Sequence, residues 1–554
     1  MSLLVNAVKK HDEGDLEKAA ELYHEHIVAD SQNPEALNLY GLCLTKMGKY
    51  NLAEEVFSRA LAKKADNPEL YRNRGAIRAS LGKISEALLD YEKSLQLLPQ
   101  DFGSLLNAGS ACIKLNKSEK AVFFFQKATE IFPKDDGAIA GLACSLSMRA
   151  LQAIQYKKFK SAIKDLIHAN KLCPEEWEIL FNLGNAYLKS GDYKKASQAF
   201  GSATKLNCKS VDLFANLGVA QERLGLYSKS EESYKNALNL NPKNSAVLYN
   251  KSLLLLKTGR YEQGFKLYEH RWLTNEFRQF RREFNVPLWL GQQNLDDKTI
   301  LCHAEQGLGD TIQFLRFCKM FDTKKTTVFV QCDSDLIEIA QTMQLRAEFY
   351  ETGSKLPDYD FHCPLMSLPA AFSYRPELQK AQEPYLFPSR MKIEQFDKKF
   401  GPRIKPRVGL VLEGKPSHVH NHLRSVIAVD FIKFLPRGAD YFLLQKELSS
   451  QTKALTSKRP DVTDLSGSLI DFSDTAAACS NMDLIITVDT AVAHLAGAIG
   501  CPTSLLLHYQ SDWRWGLETK SSHWYSNMSL IRLQRDCNWP DVYAEITANI
   551  QLIL

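Results

Sequence analysis

The chain has 554 residues, 45% of them hydrophobic and 24% charged, with a formal net charge of +5. That length is too great for one core and suggests about three to four domains. The small, interspersed charge gives no case for nucleic-acid binding, which needs a basic face rather than a slightly basic total. The twelve cysteines are scattered and none forms a C-x-x-C pair, so zinc ribbons and thioredoxin-like redox sites are unsupported. Reduced thiols in a cytosol are the simplest expectation. The N-terminal stretch MSLLVNAVKKHDEGD becomes charged too early for a signal sequence. The longest apolar tracts, such as 252–256, are far short of a membrane span. A cytoplasmic protein without a membrane span is expected.

The first half is repetitive. Gly41, Gly75 and Gly109 stand 34 residues apart, as do Gly14, Gly48 and Gly82, with Asn116 continuing that column. Ala19, Ala53, Ala87 and Ala121 form a third column, and Tyr23, Phe57, Tyr91 and Phe125 a fourth. Pro99 and Pro133 close two of the units. The register then slips by seven, to Ala162 and Pro174. Seven residues is about two helical turns, so a longer first helix near 148–156 absorbs the slip without rotating its face. The spacing resumes at Gly184 and Gly218, at Gly191, Gly225 and Gly259, and at Phe200, Tyr234 and Tyr268. Eight units run from about residue 3 to about residue 275.

These columns resemble the tetratricopeptide repeat (TPR), a helix pair with small residues where the helices touch and an aromatic filling the groove. The resemblance implies an all-α superhelix whose concave face holds a peptide or protein. Asn73, Asn107, Asn182, Asn216 and Asn250 share one position in five repeats. A side-chain amide both donates to and accepts from a peptide bond, so this row is a candidate ladder for an extended acceptor backbone. The plainer alternative is local packing.

Residues 276–297 follow without a Gly/Ser-rich linker and contain FRQFRREFNVPLWLG, too short and aromatic for a flexible tether. They are expected to pack against both halves. From 298 short apolar runs alternate with helical stretches: 299–303, 326–331 and 359–362, then 407–412, 441–444, 483–488 and 503–508. This alternation predicts parallel sheets. The texture change around 384–406 suggests a boundary between two α/β halves, 298–400 and 401–554. The stretch CHAEQGLGDTIQFLRF, 302–317, reads as strand, glycine turn and helix N-terminus. Gly307 and Gly309 would let backbone approach a ligand, and Asp310 would stand in the crevice at the strand's carboxyl end.

In order, PLWLG, HAEQGLGDTIQFLRF, VGLVLEGKPSHVHNHLRS, ITVDTAVAHLAGAIGCPT and YQSDWRWG resemble the catalytic region of bacterial TPR-containing glycosyltransferases. These are related to glycosyltransferase family 9, the heptosyltransferases. They share the TPR-plus-GT-B plan of the O-GlcNAc transferases, and some modify flagellin. The resemblance implies a TPR superhelix followed by a GT-B pair of Rossmann-like domains. It implies metal-independent, inverting transfer from a nucleotide-sugar to a protein hydroxyl, with no resident cofactor. Residue by residue, Asp310 matches the proposed general base. Asp489, Thr490, Ala491 and His494 match the D-T-[AG]-x-x-H donor loop. Arg424, and next Lys415, match the basic residue that holds the donor phosphates. The loop here reads LEGKPSHVHNHLRS, where relatives often show W-S-G-N and an Asn-Asp-Arg-Asn-Arg-Ser run.

Each assignment has a plainer alternative. Asp310, Asp489 and Thr490 suit helix caps, and His494 suits a satisfied core histidine. The G-x-x-x-x-G-K at 409–415 is not a P-loop, because Pro416 stands where Ser or Thr is needed and Gly409 lies in a predicted strand. Gly307-x-Gly309 lacks the third glycine of a dinucleotide fingerprint. Asp333-Ser-Asp335 is expected to cap a helix. His418, His420 and His422 have no carboxylate pattern to complete a metal site. The rival functions are a TPR adaptor with an inactive transferase domain, which the altered loop favours, and a transferase for a glycolipid or polysaccharide acceptor.

Overall fold

The computed structural model describes residues 3–30, 33–322, 325–376, 384–414, 421–426, 428–456, 459–535 and 537–554. The chain divides into two compact units, Met1–Leu240 and Asn241–Leu554.

The first unit holds seven helix pairs. They are α1 (Leu3–Asp12) with α2 (Leu16–Ala29), α3 (Pro34–Lys46) with α4 (Tyr50–Lys63), α5 (Pro68–Ser80) with α6 (Ile84–Leu97), and α7 (Phe102–Lys114) with α8 (Ser118–Ile131). Then come α9 (Asp136–Gln155) with α10 (Phe159–Leu172), α11 (Trp177–Ser190) with α12 (Tyr193–Leu206), and α13 (Val211–Arg223) with α14 (Tyr227–Leu240). Side chains of Asn33, Asn67, Asp101, Asp135 and Ser210 accept from free N–H groups at the starts of first helices. The turn inside each pair needs a left-handed residue: Gly48 has φ +74°, and Asn116 adopts φ 56° in the same column.

The glycine and aromatic columns are one device. A Cβ on Gly41 would lie 2.7 Å from the Phe57 ring, and one on Gly184 would lie 2.5 Å from the Phe200 ring. The missing side chain is the space the ring fills. The seven-residue slip falls where expected, since α9 has 20 residues against 13 in α7. By length and hydropathy α9 is the one described helix that could cross a bilayer. Its Leu142, Leu146, Ala150 and Ile154 are buried in the cluster that holds Val122 of α8 and Leu166 of α10. Two pairs are also tied by part-buried forks: Arg74 donates to both oxygens of Asp90, at 2.9 and 2.7 Å, and Arg149 to both oxygens of Asp165, at 2.8 Å each.

The second unit begins with the last pair, α15 (Ser245–Lys257) and α16 (Tyr261–Tyr268). Two parallel sheets follow. The first contains β1 (Thr299–His303), β2 (Thr327–Cys332), β3 (Ala347–Glu351) and β4 (Phe361–Pro364), in spatial order β3-β2-β1-β4. The second contains β5 (Arg407–Val411), β6 (Asp440–Leu443), β7 (Val462–Asp464), β8 (Leu484–Val488), β9 (Thr503–Leu507) and β10 (Met528–Arg532), in order β10-β9-β8-β5-β6-β7. Counted within its own sheet, the second order is 3-2-1-4-5-6, that of a doubly wound α/β sheet, and the first is its opening 3-2-1-4. Seven of these ten strands lie at or within a residue or two of the expected runs. β3, β7 and β10 were not among them.

One apolar core joins α16, the first sheet and the near side of the second, through Tyr261, Phe265, Ile300, Phe314, Leu505 and Trp524. The aromatic connector packs on both neighbours. Phe277 meets Tyr249 of α15 at 5.4 Å, and the buried Trp289 meets Phe321 and Phe372 at 5.5 and 5.3 Å. The helix Arg390–Phe400 lies in the core of the second sheet, through Phe396 beside Val411 and Phe442.

Candidate functional site

The strand orders locate the crevices. In each sheet the first and fourth strands are neighbours, so connections leave in opposite directions beyond their carboxyl ends. At the first sheet, β1 leads into the helix Leu308–Leu315. At the second, β8 leads into the helix Ala491–Ala498. These two helices touch. A Cβ on Gly309 would lie 3.0 Å from Cδ2 of His494 and 3.2 Å from Cα of Ala491. The motifs at 302–317 and 483–503, nearly two hundred residues apart, thus meet at their helix N-termini.

This contact revises the reading of the glycines. Gly307 has φ −59° and caps the first helix without a left-handed turn. The absent side chain of Gly309 gives room for the close approach of the second helix. Asp310 is not a cap either. It stands in the first turn, and its Oδ1 accepts from Nη2 of Arg514 at 2.6 Å. Its Oδ2 has no partner among the described residues.

Arg514 is the residue that sequence reasoning missed. It lies in the buried turn Trp513–Trp515 after β9. Besides Asp310 it donates to Asp512 Oδ1 and to Gln313 Oε1, each at 2.8 Å, and its guanidinium lies 4.5 Å from the Trp513 ring centre. Burial works against its charge, but Asp512 and Asp310 more than compensate and hold it cationic. Burial likewise opposes ionisation of Asp512, and Arg514 overrides it, drawing that carboxyl below its usual range. The signal was present in YQSDWRWG, where a basic residue sits among aromatics, but nothing in the pattern gave it a partner.

The residues of the D-T-A-x-x-H motif lie beside this cluster. Asp489 is buried, and burial raises its carboxyl while Arg424, 3.5 Å away, opposes the rise. Thr490 occupies the N-cap of the Ala491–Ala498 helix, yet among the described residues its side chain caps nothing and its buried Oγ1 has no partner. Nε2 of the buried Gln313 is also unpaired among the described residues. His494 is buried, with Nδ1 3.0 Å from the Tyr525 hydroxyl and its ring stacked on Trp515 at 5.1 Å. Burial, with Arg514 and Arg316 adding to it, drives its pKa well below normal, so the ring is neutral. These contacts are those of a packed core histidine. Lys415, His418 and His420 lie outside the described residues.

Behind the helix Leu308–Leu315, Glu305 of the same motif forms a two-pronged pair with the fully buried Arg271, at 2.8 and 3.1 Å. Burial pushes the Glu305 carboxyl up while Arg271 opposes it. This pair fixes the β1 turn to the segment after α16. Of the look-alikes, Asp333 caps the next helix by accepting from Asp335 N at 3.0 Å, and Gly409 lies inside β5, where a Cβ would meet Leu444 at 2.4 Å.

The five asparagines are all half-buried on first helices of their pairs. Asn73 donates to Asn38 at 3.1 Å and Asn216 to Asn185 at 2.8 Å. Asn107, Asn182 and Asn250 make no side-chain hydrogen bond among the described residues.

No curated protein sequence matches the chain. Tetratricopeptide repeat families match residues 10–77, 102–135, 184–225, 211–244 and 233–265. Among solved structures, YrrB, described as a TPR protein with an unusual peptide-binding site, is 22% identical over 36% of this chain and 100% of its own, with a TM-score of 0.30. A tetratricopeptide repeat protein from Parabacteroides merdae is 20% identical over 44% of this chain and 94% of its own, at 0.27. Naa15/Naa10 bound to HypK is 14% identical over 50% and 42%, at 0.38. The helix pairs of the first half are tetratricopeptide repeats, and they mark the chain as a protein-interaction scaffold with a parallel-sheet α/β region after it.

Proposed function

We propose that the α/β region is a glycosyltransferase of the GT-B kind and that the repeats recruit its protein acceptor. The observation that carries this reading is the junction at Gly309 and Ala491. There two helix N-termini, two arginines and three carboxylates meet at the carboxyl ends of two doubly wound sheets. Free N–H groups at helix starts favour anions, and Arg424 adds a guanidinium for a donor diphosphate. Thr490, at the start of the second of these helices, has an Oγ1 without a partner among the described residues, a group a bound donor can satisfy.

Transfer to a hydroxyl needs a base for its proton, and this reading assigns that role to Asp310, whose Oδ2 has no partner among the described residues. The hydroxyl oxygen attacks the anomeric carbon, the bond to the diphosphate breaks, and the leaving phosphate takes the electron pair beside Arg424. Asp310 receives the proton. A Ser or Thr side chain is the acceptor the reading favours, since a long repeat array suits a protein better than a sugar. The sugar and the base of the donor are left to experiment.

One observation favours the adaptor reading, because Oδ1 of Asp310 is already held by Arg514. A thermal-shift series with UDP, GDP, ADP, TDP and CMP decides between them. Selective binding to the folded state adds about 2.7 kcal/mol at a hundredfold excess over Kd. A rise in melting temperature with one nucleotide supports the transferase and names its donor class. No rise with any, in folded protein, supports the adaptor.

A further inference from the structure

A cavity of about 660 Å³ opens among α8, α9 and α10, in the pair that contains the seven-residue insertion. Its floor is apolar: Val122, Leu142, Leu146, Ile163 and the exposed Ile167. One wall is a basic stripe on α10, Lys160, Lys164, His168 and Lys171, all exposed. The spacing places them on one helical face. None of these four has a hydrogen-bond or ion-pair partner among the described residues. The one carboxylate in the lining, Asp165, is already spent on Arg149, whose remaining nitrogen reaches Glu119 at 2.9 Å.

The stripe is not a property of the repeat. The matching positions of α8 are Glu119, Phe123, Lys127 and Glu130. Nor does it belong to the asparagine column, which sits on first helices, whereas α8 and α10 are second helices.

We propose that this cleft docks a segment of another protein carrying acidic side chains beside apolar ones. The apolar floor takes the apolar residues, and the unpaired lysines take the carboxylates. From Lys160 to Lys171 the stripe is about 16 Å long at about 1.5 Å per residue, room for about five extended residues. A nucleic acid is the lesser fit, because the lining has no Phe, Tyr or Trp on which a base could stack. The proposal is independent of sugar transfer.

The test uses the full chain. Random 12-residue displayed peptides are selected on it and counter-selected on the variant combining Lys160→Glu, Lys164→Glu and Lys171→Glu. These lysines are exposed, so an unchanged melting temperature checks the variant's fold. Enriched peptides should combine Asp or Glu with Leu, Ile or Val. A labelled example should bind at least tenfold more weakly to the triple variant, and more weakly to Ile167→Ser. Enrichment without acidic residues, or binding indifferent to charge reversal, overturns the proposal. So does a 12-nucleotide single-stranded RNA that competes with the peptide at equal affinity, which would make the cleft a nucleic-acid site.

Discussion

Nη2 of Arg514 lies 2.6 Å from Oδ1 of Asp310, joining the turn after β9 to the first helix turn after β1. Arg514 also neutralises Asp512 and holds Gln313, and it is almost wholly buried. Arg514 is buried but the Asp310 and Asp512 side chains are 25% and 37% exposed, so water offsets part of the loss and removing the arginine should cost less than the roughly 3–5 kcal/mol of a fully buried pair. We expect Arg514→Met to lower the thermal midpoint of the second unit by several degrees. Arg514→Lys should recover little, because a single ammonium cannot reach three acceptors as the guanidinium fork does. Midpoints within a degree of the parent for both variants would remove the structural role.

Asp310→Asn separates catalysis from architecture. The amide keeps an oxygen that accepts from Arg514 and changes little in shape, so the thermal midpoint should shift far less than in Arg514→Met. Under the proposed chemistry the variant binds nucleotide like the parent and transfers at least a hundredfold more slowly, the lower end of what positioned proton transfer contributes. Parental transfer rates in this variant would rule out Asp310 as the base.

His303 and His362 make the second unit acid-sensitive. They end β1 and open β4, with His303 Nε2 3.2 Å from His362 Nδ1 and the Phe284 ring stacked 4.6 and 3.9 Å from them. Burial, then the charge of Arg282, lowers His303 to about 3 and His362 to about 4. The unfolded chain takes up these protons near 6.5. Stability is therefore full above that pH and falls as pH drops toward the folded values. At pH 5 the loss from His303 is about 2 kcal/mol, and that from the half-buried His362 is smaller. We expect His303→Gln to flatten the fall in thermal midpoint between pH 7.5 and pH 5. A fall as steep as the parent's would sink the assignment.

The features legible in the sequence were those that repeat or that pair with chain neighbours. The glycine, alanine and aromatic columns announced the helix pairs because each unit restates them. The lengthening of α9 followed from arithmetic on the register. The strand–turn–helix at Asp310 and the strand leading to Thr490 were readable as buried runs followed by helical periodicity. β3, β7 and β10 were not, because β3 has no fully buried residue, β7 is only three residues long and Ser529 interrupts the apolar run of β10. The centre of the site was harder still. Arg514 pairs with Asp310 across 204 positions and Arg271 with Glu305 across 34, and no local pattern encodes such distances. Gly309 was seen as special for the right physical reason, absence of a side chain, but the neighbour that needs the space is a helix.

The most crowded contact of the repeats is at Phe125, whose ring lies between two glycines. A Cβ on Gly109 would lie 2.6 Å from it and one on Gly141 would lie 2.1 Å away. Both distances are far inside contact, and the obstacle is a buried ring with no free end to swing aside. We expect Gly141→Ala to cost about 1–3 kcal/mol by overpacking, and Gly109→Ala somewhat less. Each glycine sits in a helix, where alanine is intrinsically better by about 1 kcal/mol, so a destabilised variant means that the clash outweighs propensity. Phe125→Leu, harmful alone because it leaves a cavity, should lose most of its cost when combined with Gly141→Ala, since the new methyl occupies part of the vacated space. Thermal midpoints of the four proteins form a double-mutant cycle, and a coupling below about 0.5 kcal/mol would mean that the ring and the glycine do not share one space.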